Sequence, residues 1–244
     1  MHEIFLTAVV PDTALPTARA VLSGLTEMHE HHSYTRVRHL HRGDLSPKSL
    51  DKLKELSRER NPHAVRWAEF HQILLKQNYV VQERIDTTAK VNGGVGSEDK
   101  RVLRWNDFPD PQSSRIPAFI TQRRVLEISE GRVERVLQEC RFGTKSESVE
   151  EAYQWWLNGV EYALTKIYGI SAQQQQQGAA NPAGLEPLVP FWVLYVRVQT
   201  DSTPEQMGQA HAQLSRVRER LLRVFDFKVF DRRAHDTRIM EQRP

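Results

Sequence analysis

The sequence predicts an α+β fold: a single domain, residues 1–244, built on an open, curled antiparallel β-barrel of about eight strands flanked by a few helices. Three observations predict it. Segments with strand-type patterning recur along most of the chain and are joined mainly by hairpin turns. Helix-type spacing of three or four is confined to a few stretches at the margins. A run of consecutive hairpins leaves exposed edges unless the sheet curls back on itself. The length of 244 residues allows it, since a chain of this size hides roughly 70% of its unfolded surface.

Ile4 to Val10 is an apolar, β-rich run ended by Pro11-Asp12, and it reads as a buried strand. From Asp12 or Thr13 as N-cap, Ala18, Val21, Leu22, Leu25 and Met28 fall at helical spacing. Tyr34 to Arg42 alternates as a strand with one polar, basic face. Ser46-Pro47 opens a charged helix over 48–60, which Asn61-Pro62 stops. Residues 63–76 carry helical spacing, with a strand also open. Tyr79 to Ile85 is β-like. Val102 to Trp105, Phe119 to Ile128 and Val133 to Phe142 read as strands, Glu130-Gly131 turning between the last two. Glu150 to Leu157 and Val160 to Ile167 form a hairpin about Asn158-Gly159. Val189 to Gln199 is a further strand. Thr203-Pro204-Glu205 opens a helix to about Arg223 with Leu214, Val217, Leu221 and Leu222 inward. Val224 to Phe230 reads as a last strand before a basic tail. Loops are expected near 43–47, 92–100 and 171–188, the last a Gln-rich insertion within the domain.

Composition narrows the function classes. The chain carries 34 Lys+Arg against 31 Asp+Glu, a formal +3, with 39% hydrophobic and 27% charged residues. That charge is too small to name nucleic acid as a partner. The lone Cys140 excludes an internal disulfide framework and a four-cysteine zinc site. The absence of an Asn-x-Ser/Thr sequon fits a reduced compartment, so a nuclear or cytosolic protein is expected. The longest apolar run, Leu188 to Val196, is about half of the roughly 20 residues a spanning helix needs.

Few residues carry recognisable chemistry. His39 and His41 stand two apart on a strand, the spacing of a metal pair, but no third ligand follows; exposed polar residues are the expected reading. Gly143-Thr144-Lys145-Ser146 lacks the upstream glycine of a phosphate loop, and Gly93-Gly94-Val95-Gly96 lacks the dinucleotide spacing. Cys140 reads as a buried structural thiol. Basic residues on several strands (Arg36, Arg38, Arg123 or Arg124, Lys166, Arg197) could converge inside a barrel on polyphosphate. A metal there needs carboxylates at i and i+2, but Glu3 is followed by Phe5 and Thr7, and Glu127 by Ser129. The barrel is therefore expected to resemble a triphosphate tunnel in shape without its acidic chemistry. No cofactor and no metal is expected.

Trp155, Trp156, Trp192 and Phe191 sit on neighbouring strands, and alternation sends one ring of each pair outward, where a helix or a partner must cover it. These four are candidate partner-binding residues. The stretch 216–244 holds nine Lys/Arg and five Asp/Glu, a local excess of +4.

Three segments carry a family likeness. Met1-His2-Glu3-Ile4-Phe5-Leu6-Thr7-Ala8-Val9-Val10-Pro11, with Gly24-Leu25 after the helix, resembles subunit 18 of the Mediator complex of RNA polymerase II transcription. Arg104-Trp105-Asn106-Asp107-Phe108-Pro109 is similar to that family's segment built on a Trp and Asp-x-Pro, here Trp105, Asp107 and Pro109. Asp231-Arg232-Arg233-Ala234-His235-Asp236-Thr237-Arg238 is similar to its terminal pattern, here Asp231, Arg232, Asp236, Thr237 and Arg238. The likeness leaves about 43–100 and 171–188 uncovered. It implies a non-enzymatic, nuclear subunit of the Mediator head module, with a barrel related to triphosphate-tunnel enzymes. It also implies pairing with Mediator subunit 20, grip on the C-terminal helix of subunit 8, and a place among the RNA polymerase II machinery. Two other readings stand beside it: a metal-dependent tunnel triphosphatase using Arg36, Arg38, Arg123 and Arg197, and an RNA-binding module using the basic C-terminal region.

Overall fold

A chain whose strands carry apolar residues on one face and charges on the other must decide which face a barrel turns inward; here the charges go in. The computed structural model describes residues 1–43, 46–91, 100–114, 116–171, 182, 184–235 and 237. Most of the three expected loops lies outside them. In order, the elements are β1 (His2–Pro11), α1 (Leu15–Thr26), β2 (His31–Arg42), α2 (Asp51–Leu56), α3 (Ala64–Lys76), β3 (Val81–Asp86) and α4 (Thr88–Val91). Then follow β4 (Arg101–Asn106), β5 (Thr121–Ile128), α5 (Val133–Glu139), β6 (Phe142–Leu157), β7 (Val160–Gly169), β8 (Phe191–Thr200) and α6 (Pro204–Leu221).

The eight antiparallel strands run β1-β5-β4-β3-β2-β6-β7-β8 and the barrel closes. Closure depends on β1, which pairs with β8 along its whole length and with β5 from His2 to Phe5. The β6–β7 hairpin turns at Asn158 (φ 50°) and Gly159 (φ 77°), both in the left-handed region that such two-residue turns require.

Outward-facing apolar residues form two cores, each roofed by helices. On one side Ile4, Leu6, Tyr162, Leu164, Trp192, Leu194 and Val196 pack beneath α1 (Ala18, Leu22) and α6 (Ala210, Leu214, Val217, Leu221). On the other, Val81, Leu103, Trp105, Leu126 and Ile128 pack beneath α2, α3 and α5. The expected N-cap of α1 is replaced by a short 3-10 turn, Asp12–Ala14. The Thr203 hydroxyl does cap α6, accepting from the Gln206 amide at 3.4 Å, while Leu222, expected inside, is 49% exposed.

Several expectations are corrected. Val133 to Phe142 is no strand: residues 133–139 form α5, because Val133, Val136, Leu137 and Cys140 lie at i, i+3, i+4 and i+7 and all are buried. Residues 63–76 are helical over Ala64–Lys76, with Trp67, Phe70, Ile73 and Leu74 inward. The charged helix expected over 48–60 is split into a 3-10 turn, Pro47–Leu50, and the short α2. Val224 to Phe230 forms only a single bridge, Phe227 to Ala8. No helix among the described residues is long and apolar enough to cross a membrane.

Candidate functional site

Inside the barrel, β1, β5, β4, β3, β6, β7 and β8 each contribute a charged side chain. Glu3 is at the hub and is 1% exposed. Its Oε1 accepts from Arg104 Nη2 at 2.6 Å and its Oε2 from Arg123 Nε at 2.7 Å. Arg104 also donates to Asn106 Oδ1 (2.9 Å) and Glu127 Oε1 (2.7 Å). Arg197 forms a two-point pair with Glu161, both contacts at 2.6 Å. Arg84 grips Glu150 in the same way at 2.8 and 3.1 Å. Four arginines thus pair with four glutamates about the lumen, which Lys145 also lines. Such two-point guanidinium–carboxylate pairs are strong and orientationally fixed.

Titration follows from this packing. Burial alone would raise the Glu3 carboxyl, yet Arg104, Arg123 and Arg197 hold it well below the usual carboxylate range. Glu150 is depressed against its burial, chiefly by Arg84. Burial works against the charge on Arg197, and Glu161 more than offsets it, so its pKa is raised.

A phosphohydrolase tunnel needs cations free for phosphate and carboxylates free for a metal. Here both Glu3 oxygens already accept from arginine. Phe5, at the i+2 position, also faces the lumen. Among the described residues no three His, Cys, Asp or Glu side chains gather as metal ligands. The arginines nominated for this tunnel divide by strand parity. Arg123 and Arg197 line it, whereas Val37 and His39 face inward on β2 and send Arg36 and Arg38 outside, onto Glu147 and Glu83. Lys166 likewise lies outside, bonded to Asp12 at 2.6 Å. His39 reaches Gln82 at 3.3 Å. Gly143 to Ser146 are part of β6, and Gly93 to Gly96 lie outside the described residues. Cys140 is fully buried, which together with Glu139 pushes its thiol up to about 11, an unreactive state.

The C-terminal segment straps one mouth of the barrel. Where β5 leaves β1, the Lys228 amide donates to the Thr7 carbonyl at 2.9 Å. Arg232 places its guanidinium carbon 4.4 Å from the Phe108 ring centre and donates from Nε to the Pro109 carbonyl at 3.0 Å. His235 enters the lumen edge-on to Phe5, ring centres 6.0 Å apart. The Thr237 hydroxyl donates to the Asn106 carbonyl at 2.9 Å, and the Val80 amide to the Thr237 carbonyl at 2.7 Å. Segments far apart in sequence, 1–11, 104–109 and 231–235 with Thr237, therefore meet at one end. Trp105 is buried in the core and the Asp107 carboxylate accepts from the Phe108 amide at 2.8 Å. Asp231 is exposed; Asp236 and Arg238 lie outside the described residues.

The four aromatic candidates are separated by depth. Trp155 is buried, its Nε1 donating to Ser23 Oγ of α1 at 3.0 Å. Trp192 is buried beside Tyr153, centres 5.4 Å apart. The cover of Trp155 is thus α1 of the same chain, and Trp192 lies in the same core with Lys166 Nζ 5.8 Å from its ring centre. Trp156 is 43% exposed and lies 6.2 Å from the His31 ring. Phe191 is half-buried opposite Pro11. The hub role of Glu3 was missed from sequence, although a carboxylate at the head of the apolar run Ile4-Phe5-Leu6, on the same strand, is itself a signal, since a buried charge requires a partner.

Comparison with known proteins adds the following. The family model described as Med18 protein matches residues 2–238. No curated protein sequence matches the chain. Among solved structures, a chain of the Schizosaccharomyces pombe Mediator head module is similar with a TM-score of 0.60 and 15% identity, covering 93% of this chain and 98% of that one. The PH1819 protein of Pyrococcus horikoshii OT3 is similar at 0.50 and 11% identity, covering 94% of each. HpAC1 from Hippeastrum, described as having a dominant triphosphatase activity, is at 0.44 and 10% identity over 98% of each chain.

Proposed function

Because the chain belongs to the Med18 protein family, we propose that it is a nuclear subunit of the Mediator head module that acts by binding other proteins and catalyses no reaction. The observation that carries this reading is the family match across residues 2–238. The likeness in fold to a chain of the fission-yeast head module, at a TM-score of 0.60, is consistent with it. The lumen supports the non-enzymatic part: its arginines already hold carboxylates, so phosphate or metal would have to break buried ion pairs to enter.

Within that role, the barrel pairs with Mediator subunit 20 and holds the C-terminal helix of subunit 8. The physical means would be burial of apolar area around a few aromatic anchors, with an amphipathic helix laid in a groove. Trp156 and Phe191, which retain accessible surface, are the aromatic candidates for direct contact. Trp155 and Trp192 would act from within the core, Trp155 by fixing α1 over the sheet. Co-expression with subunits 8 and 20 should give a stoichiometric trimer that survives gel filtration. Failure to form it, or metal-dependent release of phosphate from triphosphate by the purified chain, would count against the proposal.

A further inference from the structure

Most arginines on the barrel strands bond carboxylates; among the described residues, those on the outer face of α6 and just beyond it do not. Arg216, Arg220 and Arg223 are exposed and, among the described residues, none forms an ion pair. Arg216 and Arg220, at i and i+4 on α6, form a stripe about 6 Å long, and Arg223 follows in the turn just beyond Leu221. Glu219 lies on the flank of that stripe, also without an ion pair. Beside the stripe, α6 and the β6–β7 hairpin enclose a groove of about 500 Å³. Leu157, Val160 and Val217 form its apolar wall, and Gln213 is held in place by donating to the Asn158 carbonyl at 2.8 Å.

At the floor is Tyr162, a residue 2% exposed overall, which lines the groove. Its hydroxyl has no hydrogen-bond partner among the described residues, and Arg220 is near enough to act on it electrostatically. A phenol donor and two guanidinium groups around one recess are the complement of a carboxylate.

We propose that this groove binds an acidic peptide segment, a Glu or Asp carboxylate taking hydrogen bonds from Tyr162 and Arg220, with Arg216 and Arg223 attracting flanking acidic residues. Apolar side chains of the segment rest on Leu157. Single-stranded RNA is the less suited partner, because its bases need exposed aromatic faces for stacking, and the only ring lining the recess is buried.

The test is fluorescence anisotropy of a fluorescein-labelled peptide alternating glutamate and leucine, titrated with the full chain. Binding should weaken about tenfold in R216E/R220E and about threefold in Y162F. Thermal midpoints should stay unchanged, because among the described residues none of these groups has a hydrogen-bond or ion-pair partner. Added salt should weaken binding as well. Equal affinity of R216E/R220E and the parent chain, or no binding by the parent, overturns the proposal. Undiminished binding by Y162F overturns the placement of the carboxylate on the floor. Tighter binding of an oligouridine RNA, lost in R216E/R220E, would make this an RNA site instead. The assay uses this chain alone, so its outcome is separate from whether subunits 8 and 20 assemble with it.

Discussion

Glu3 and Arg104 meet 2.6 Å apart at the centre of the barrel, 101 residues apart in sequence and both nearly sealed from solvent. The Glu3 carboxylate also neutralises Arg123, so β1, β4 and β5 share one electrostatic joint. Glu3→Gln preserves shape but leaves the buried Arg104 with Glu127 alone and Arg123 without its counter-charge. We expect a loss of about 3–5 kcal/mol in urea unfolding. A Glu3→Gln variant within 1 kcal/mol of the parent, on the order of an exposed pair, would contradict the joint.

Acid should act on the strap before it acts on this joint. Burial, assisted by the nearby Arg123 charge and opposed by Glu3, pushes His235 down to about 4 from 6.5. Between those values the unfolded chain binds the extra proton and the folded chain does not, so stability falls as pH falls from 6.5 toward 4. Glu3 and Glu150 are depressed instead, so their contribution is complete above the ordinary carboxylate range and declines only below about pH 4.5. Unfolding free energies across pH should show both phases. His235→Phe should flatten the upper one, leaving the residual slope of His2, His39, His71 and His211, which shift in the same direction. An unaltered upper slope would place His235 outside the lumen.

How much of this could be read from sequence depends on the distance over which each feature is decided. Local patterns were legible: period-two alternation marked the barrel strands, and Asn158-Gly159 marked its hairpin. Helix α5 was misread because Val133 and Val136 sit beside a turn-like Glu130-Gly131, although Val133, Val136, Leu137 and Cys140 carried the helical period. Long-range decisions were not legible. Whether Arg36 or Val37 faces the lumen depends on which side of β2 the rest of the barrel lies, and alternation alone leaves that open. Nor could it be read that α1, through Ser23, covers Trp155.

The strap makes a separable prediction. Arg232 holds Phe108 and Pro109, while Thr237 reaches Asn106. Arg232→Ala with Thr237→Val removes a cation–π contact and hydrogen bonds, each worth about 0.5–1.5 kcal/mol. The double variant should lose its C-terminal segment faster to a limiting amount of trypsin, while the barrel fragment stays intact. Equal rates of trimming would mean that these contacts do not hold the segment down.

Trp155 and Trp156 are adjacent in sequence and opposite in consequence. The Trp155 ring fills the space between β6 and α1, so Trp155→Ala should cost about 3–5 kcal/mol. Any loss of partner binding in that variant would then track loss of fold. Trp156, at 43% exposure, contributes little to packing, and Trp156→Ala should change stability within about 0.5 kcal/mol. If it anchors a partner, the same change should weaken association with subunit 20 or the subunit 8 helix by about 2 kcal/mol, the scale of an aromatic hot spot. Isothermal titration with each subunit, beside unfolding curves for both variants, separates the two roles. A Trp156→Ala chain of parental stability and parental affinity would remove Trp156 from the interface, leaving Phe191 as the remaining aromatic candidate.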